Sequence, residues 1–267
     1  MKKWHKTVLV VIGAVVFSTV AIQASDVLRS IDGNLLGLAL ESESPCGDGA
    51  VLVNLSSGAL CVDQFEAAPS VKCPFVNPAS ELETQQNIND FNCAASSELE
   101  RTPWRYVSLQ QAQQLCARSG KRLPNNDEWY ALVSGMGDPA TCQTDSVAAA
   151  PTGSSGCATY AGVHDMIGNV WEWIDGEVVD GQYNNRPVPG SGYVQLVDAD
   201  GVVLETGSRG NQEYGNDYAS TDGVGVRGMV RGGFYGSGED AGLYAQNIAV
   251  SLDLKTPGVG FRCVKSI

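Results

Sequence analysis

Apolar positions along this chain fall in short runs between glycine- and asparagine-rich turns. The exception comes first. An uncharged stretch from Thr7 to Ala24 follows Lys2, Lys3 and Lys6. It predicts a secretory signal cut after Ala24, at Ile22-Gln23-Ala24. The stretch approaches the roughly 20 residues that span a bilayer, so an uncleaved N-terminal membrane anchor is the alternative. Residues 25–45 predict a stalk. From residue 46 to 267 the pattern is that of one folded domain.

Within that domain, AVLV (50–53) and ALCV (59–62) flank a turn at 54–58 and predict a β-hairpin. In 108–120, Leu109, Ala112, Leu115 and Cys116 recur at helical spacing, with Ser108 to cap and Gly120 to stop. A second helix is predicted in 123–137, capped by Asn125 or Asn126, with Asp127 and Glu128 suiting its first turn. Residues 138–163 read as a loop. GYVQLVDADGVVLETG (192–207) reads as a hairpin across Asp198–Gly201. GMVRGGFYG (228–236) and GVGFRCVKSI (258–267) read as the last two core strands. In HDMIGNVWEWIDG (164–176), Trp171 and Trp173 stand two apart, which in a strand puts both indoles on one face, in the core.

Charge and cysteine content narrow the function classes. Net charge is −13, and about −16 once the signal lysines are removed, so nucleic acid is not an expected partner. Eight cysteines in an exported chain favour disulfides, and no CxxC suggests zinc. Locality pairs Cys46 with Cys61, Cys73 with Cys93 and Cys142 with Cys157, leaving Cys116 with Cys263. The expected location is extracellular, periplasmic or at the cell surface.

Five stretches in order, CVDQFEAAP, AQQLCARSGKRLPNNDEWYALV, HDMIGNVWEW, MVRGGFYG and GVGFRCV, resemble the formylglycine-generating-enzyme (sulfatase-modifying factor) superfamily. Its relatives include pyoverdine-maturation proteins and ergothioneine-pathway sulfoxide synthases. The resemblance covers roughly residues 46–266. It implies an α+β fold, a C-type lectin-like variant with few helices, short strands and much ordered loop. It also implies a bridge from the helix before GKRLP to the terminal GFRC, which agrees with Cys116–Cys263. The family carries calcium at the HDMIGNVWEW motif. Carried over position by position, the ligands are the Asp165 and Glu172 side chains and the Gly168 and Val170 carbonyls. The competing reading pairs Glu172 with a buried arginine and lets Asp165 cap a turn. Arg122 with Glu128, and likewise Arg231 and Arg262, read as structural charges.

The oxidases of this family bind copper(I) through two cysteines five apart, as soft thiolates do. Here the corresponding positions fall near Ser237 and Gly242, so no copper is expected. His164 is the single histidine after the signal, too few for the iron site of the sulfoxide synthases. The segment that helps line the family's substrate cleft offers Tyr235, Glu239, Asp240, Tyr244, Gln246 and Asn247 to a polar, peptide or glycan ligand. The expectation is an exported, calcium-stabilised binding module at the cell surface, with no catalytic residue assigned. The alternatives are a divergent oxidoreductase or maturation enzyme, and a structural component of a surface or pilus assembly.

Overall fold

The computed structural model describes residues 45–267. The expected signal or anchor, and all of the expected stalk but Pro45, lie outside the described residues. The chain opens with the predicted hairpin. β1 (Ala50–Leu55) pairs antiparallel with β2 (Gly58–Asp63), in register from Ala50↔Asp63 to Leu55↔Gly58. β3 (Ala68–Pro69) and β4 (Ala95–Ser96) form a small ladder, and α1 (Glu81–Asn89) lies between them in sequence. Nothing in the apolar pattern announces α1, because only Thr84, Asn87 and Ile88 are buried. Polar contacts seat it instead. The Ser80 side chain accepts from the Glu83 N–H, and Asn87 bonds both the N–H and the carbonyl of Phe75 (2.8 and 2.7 Å).

α2 (Leu109–Arg118) forms as predicted, with a reciprocal capping box between Ser108 and Gln111. Gly120 follows it at φ +68°, a left-handed position that suits glycine. α3 (Asn126–Val133) is shorter at both ends than the predicted 123–137. Asn125 caps it in a box with Glu128, and Leu123-Pro124 before the cap stays outside the helix. The Pro124 ring disfavours helical geometry at Leu123, and the Pro124 carbonyl accepts from the Asp175 N–H (2.8 Å).

The remaining strands are β5 (Trp171–Val179), β6 (Gln182–Tyr183), β7 (Arg186–Pro187), β8 (Gly192–Val197), β9 (Val203–Gly207), β10 (Tyr218–Thr221), β11 (Val226–Arg231), β12 (Gln246–Val250), β13 (Val259–Phe261) and β14 (Val264–Ser266). A nine-stranded mixed sheet runs β7-β6-β5-β11-β12-β10-β8-β9, with β13 also pairing β5. The 192–207 hairpin is β8–β9, as expected. Two points differ from the sequence reading. β12, unpredicted, lies between β11 and β10 in the sheet. The terminal stretch is two strands: β13 runs parallel to β5, while β14 leaves to pair with β2. Arg262 and Cys263 sit between them.

β5 carries the alternation that organises the core. Trp171 and Trp173 do share a face. Trp173 is fully buried among Trp104, Leu109, Leu115 and Phe261, and Trp171 is only partly covered there. Ile174 and Val178 take the other face, against Trp129, Leu132, Met229 and Ile248. Four disulfides close the domain: Cys46–Cys61, Cys73–Cys93, Cys116–Cys263 and Cys142–Cys157. Cys116–Cys263 spans 147 residues and ties α2 to the chain end. Replacing both cysteines by serine should cost about 2–5 kcal/mol, read as a lower urea midpoint under non-reducing conditions.

Candidate functional site

The turn that precedes β5 is backbone-strained and tightly held. Asp165, Gly168 and Asn169 all have positive φ (+58°, +76° and +51°). A Cβ at Gly168 would lie 2.3 Å from the Gln143 carbonyl oxygen, so only glycine fits there. The Cys142–Cys157 staple sits beside this turn: the Asp165 N–H donates to the Cys157 carbonyl (2.8 Å).

The two expected carboxylate ligands have separate partners. Asp165 accepts from the Gly153 N–H (2.5 Å) and the Ser155 hydroxyl (2.8 Å). Glu172, fully buried, takes Arg262 Nε (2.8 Å) and a terminal Arg262 nitrogen (2.5 Å) on one oxygen, and Trp129 Nε1 (2.8 Å) on the other. A third buried acid, Glu66, accepts from Asn169 Nδ2 (2.5 Å) and the Val170 N–H (3.1 Å). Burial, and then the negative charges of Asp165 and Glu172, push the Glu66 carboxyl well above its usual range. Three acids thus surround one guanidinium. By charge the turn fits a divalent cation. By geometry Asp165 retains free lone pairs for one, whereas Glu172 would have to give up part of its contact with Arg262 or Trp129. Among the described residues, no cluster of three or more His, Cys, Asp or Glu side chains is arranged to hold a metal.

The other expected structural charges behave as such. Arg122 grips Glu128 with two bonds of 2.6 Å. Arg231, fully buried, donates to Asn126 Oδ1 (3.2 Å), the Gly201 carbonyl (3.0 Å), Gln246 Oε1 (2.9 Å) and the Leu243 carbonyl (3.1 Å). It also stacks over Trp129 at 4.9 Å.

The six residues expected to grip a ligand do not form one site. Glu239 and Tyr244 line a cavity of about 530 Å³ with Met136, Ile167, Asp217 and Leu243. Tyr235 and Asn247 line a second, of about 300 Å³, with Trp171, Phe234 and Pro257. Asp240 is exposed and lines neither cavity. Gln246 is a core residue: it is the cross-strand partner of Arg231, and strand pairing buries it.

Asp217 is the residue the sequence reading missed. It lies in 174–226, a region without a motif, and no spacing rule marks it. The carboxyl is 2 % exposed, and one oxygen accepts from the Tyr244 N–H (2.6 Å). Burial raises its pKa to about 7 against the opposing backbone amides of Tyr244 and Ala245 and the charge of Arg231. Of the two positions near which the oxidase thiols fall by counting, Gly242 lies beside Asp217. Ser237 accepts from the Phe234 N–H (3.0 Å), and Gly242 lines the larger cavity next to Asp217.

Few helices, short strands and much ordered loop define the class: an α+β domain of the C-type lectin-like kind. The chain matches the Sulfatase-modifying factor enzyme 1-like domain over residues 61–267, and it belongs to that family. No curated protein matches it. Solved structures similar to it include the Major Tropism Determinant U1 Variant (16 % identity, 84 % of this chain, 54 % of that chain, TM-score 0.47). Treponema denticola variable protein 1 is similar at 13 % identity (79 % and 85 %, TM-score 0.45). PvdO from Pseudomonas aeruginosa is similar at 13 % (79 % and 81 %, TM-score 0.44). The chain spans about half the length of the Major Tropism Determinant chains it matches.

Between about pH 4 and pH 7 the folded protein keeps a proton on Asp217 that the unfolded chain has lost. Asp217 therefore contributes a stability that falls as pH rises through this window, by roughly 2–4 kcal/mol in total. Urea denaturation across that range should show the decline, and Asp217→Asn should flatten it.

Proposed function

We propose that this chain is an exported, disulfide-stapled binding module displayed at the cell surface, stabilised by calcium and lacking the thiol–copper oxidase chemistry of its family. The observation that carries this reading is the state of the cysteines. Among the described residues all eight are in disulfides, and by counting the oxidase thiols fall near Ser237 and Gly242, where no cysteine stands. A copper(I) site built on soft thiolates has no ligands to use. The disulfides also support an extracellular or periplasmic location, where such bonds persist. The ligand site is the cavity of about 530 Å³, a volume that suits a small ligand or one peptide side chain.

Calcium is supported by the excess of buried acid at Glu66, Asp165 and Glu172. Asp165 and the carbonyls of Gly168 and Val170 are the residues to hold it, with Glu172 anchoring the turn through Arg262. A maturation enzyme working without thiols is the second reading. Asp217 favours it, as an acid poised near neutrality beside a cavity, and copper-independent turnover would be its sign.

Two measurements test the first reading. Intact-mass analysis of the exported protein, alkylated without reduction, should show no labelled thiol. Two alkylatable cysteines would restore the oxidase. Chelation should lower the melting temperature by several degrees, and Asp165→Ala should abolish that sensitivity. A melting curve indifferent to chelator removes calcium from the account.

A further inference from the structure

The larger cavity has a chemical bias that the binding-module reading leaves unspecified. Its charged lining residues are Asp145, Asp217 and Glu239, and no lysine, arginine or histidine lines it. Asp145 and Glu239 are exposed, whereas Asp217 is buried. Much of the remaining wall is apolar: Met136, Pro139, Ile167, Leu243 and the ring of Tyr244. Tyr244 is held in place edge-on by Tyr214, at 5.1 Å between ring centres.

Asp217 is a buried acid that no cation pairs with among the described residues. Its position is built by the absence of side chains. A Cβ at Gly242 would stand 2.1 Å from its Oδ1, and one at Gly215 would stand 2.9 Å away. Buried carboxylates are ordinarily paired with a cation or kept neutral. Arg231 acts on Asp217 only at a distance: its terminal nitrogens donate to Asn126, Gly201, Gln246 and Leu243, and its buried Nε makes no hydrogen bond to Asp217 or to any other group.

We propose that this cavity receives an organic cation: an ammonium or guanidinium group that reaches Asp217, on an aliphatic stem that lies along Met136, Ile167 and Leu243. The proposal rests on the binding-module reading and names its ligand class. A bare calcium ion is a poor match, because it takes roughly six to eight converging oxygens. This cavity instead offers one buried carboxylate, two exposed ones and an apolar wall. An alkyl stem buries against that wall, and the charged end replaces the missing partner of Asp217. The acidic surface of the chain, at net −13, draws such ligands in.

Binding is then linked to protons. The charges acting on Asp217 are those of Arg231 and Asp240; Asp145 and Glu239 share its cavity wall, and Tyr244, which packs against Tyr130 and Tyr214, lines the cavity beside it. An incoming cation favours the ionised carboxylate and expels the proton that burial retains, so affinity rises with pH from 6 to 8.

The test is calorimetric titration of the full chain with four probes. Two are the N-acetyl methylamides of arginine and lysine. The third is the same derivative of citrulline, which keeps the shape of arginine without its charge. The fourth is 1,5-diaminopentane, a free amine. The charged probes should bind at least about tenfold tighter than the citrulline one, and Asp217→Asn should lower their affinity about tenfold. Glu239→Gln, at an exposed position that folding does not need, should lower it about threefold. Binding of the amino-acid probes alone identifies a peptide side chain as the ligand, and equal binding of the diamine identifies a free amine. The proposal is overturned if citrulline binds as tightly as arginine, if no cation binds, or if neither variant changes the affinity. In the first case the cavity is still a binding site, and only the ligand class is wrong.

Discussion

The buried pair between Glu172 and Arg262 is the interaction on which the rest of this domain depends. Both side chains are fully buried. Arg262 donates twice to Glu172, once to the Asp63 carbonyl (3.0 Å) and once to the His164 carbonyl (2.7 Å). One guanidinium thereby joins β5, the end of β2 and the turn before β5. The other Glu172 oxygen holds Trp129 on α3. Desolvating two charges is costly, and such a pair contributes little net stability unless every donor and acceptor is met. Here they are met. What the pair supplies is specificity: β13 must pass β5 in the one register that puts Arg262 under Glu172. The next residue, Cys263, can then reach Cys116.

That register also explains why the terminal stretch is two strands. After Phe261, the chain turns Arg262 inward to Glu172 and Cys263 to α2, and β14 continues on the other sheet beside β2. The site loops hang from this crossing. The turn at 165–169 hydrogen-bonds to residue 232 and beyond: Gly168 N–H to the Gly232 carbonyl (3.1 Å), and Tyr235 N–H to the Asn169 carbonyl (2.9 Å). The strained turn and the loop between β11 and β12 are therefore one unit. Residues of this unit line both cavities.

Much of this fold could be read from the sequence, for physical reasons particular to each element. The first hairpin, α2 and the β8–β9 hairpin carry strong local signals: alternation, a capping box and a turn of Asp and Gly. The disulfides followed from locality, because three of the four close loops of 15 to 20 residues. α1 was invisible because polar side chains seat it. β12 was invisible because Gln246 and Asn247 look like surface residues, and only the cross-strand contact with Arg231 makes Gln246 interior. The same blindness split the expected ligand set between two cavities. Asp217 could not have been found, since its burial is created by Gly215 and Gly242, the latter distant in sequence.

The glycine at 242 joins the family's chemistry to that of this chain. By counting along the sequence, it falls near one of the positions of the oxidase thiols. A cysteine there would bring a Cβ to 2.1 Å from the Asp217 carboxylate as it now stands, so that carboxylate would have to shift. A side chain at 242 and the Asp217 carboxylate in its present rotamer therefore compete for the same space. With the acid present, and with all eight cysteines bridged among the described residues, the cavity wall offers a buried carboxyl and no free thiol. A cysteine placed at 242 alone would first have to displace the Asp217 side chain from the pocket that Gly215 and Gly242 leave open.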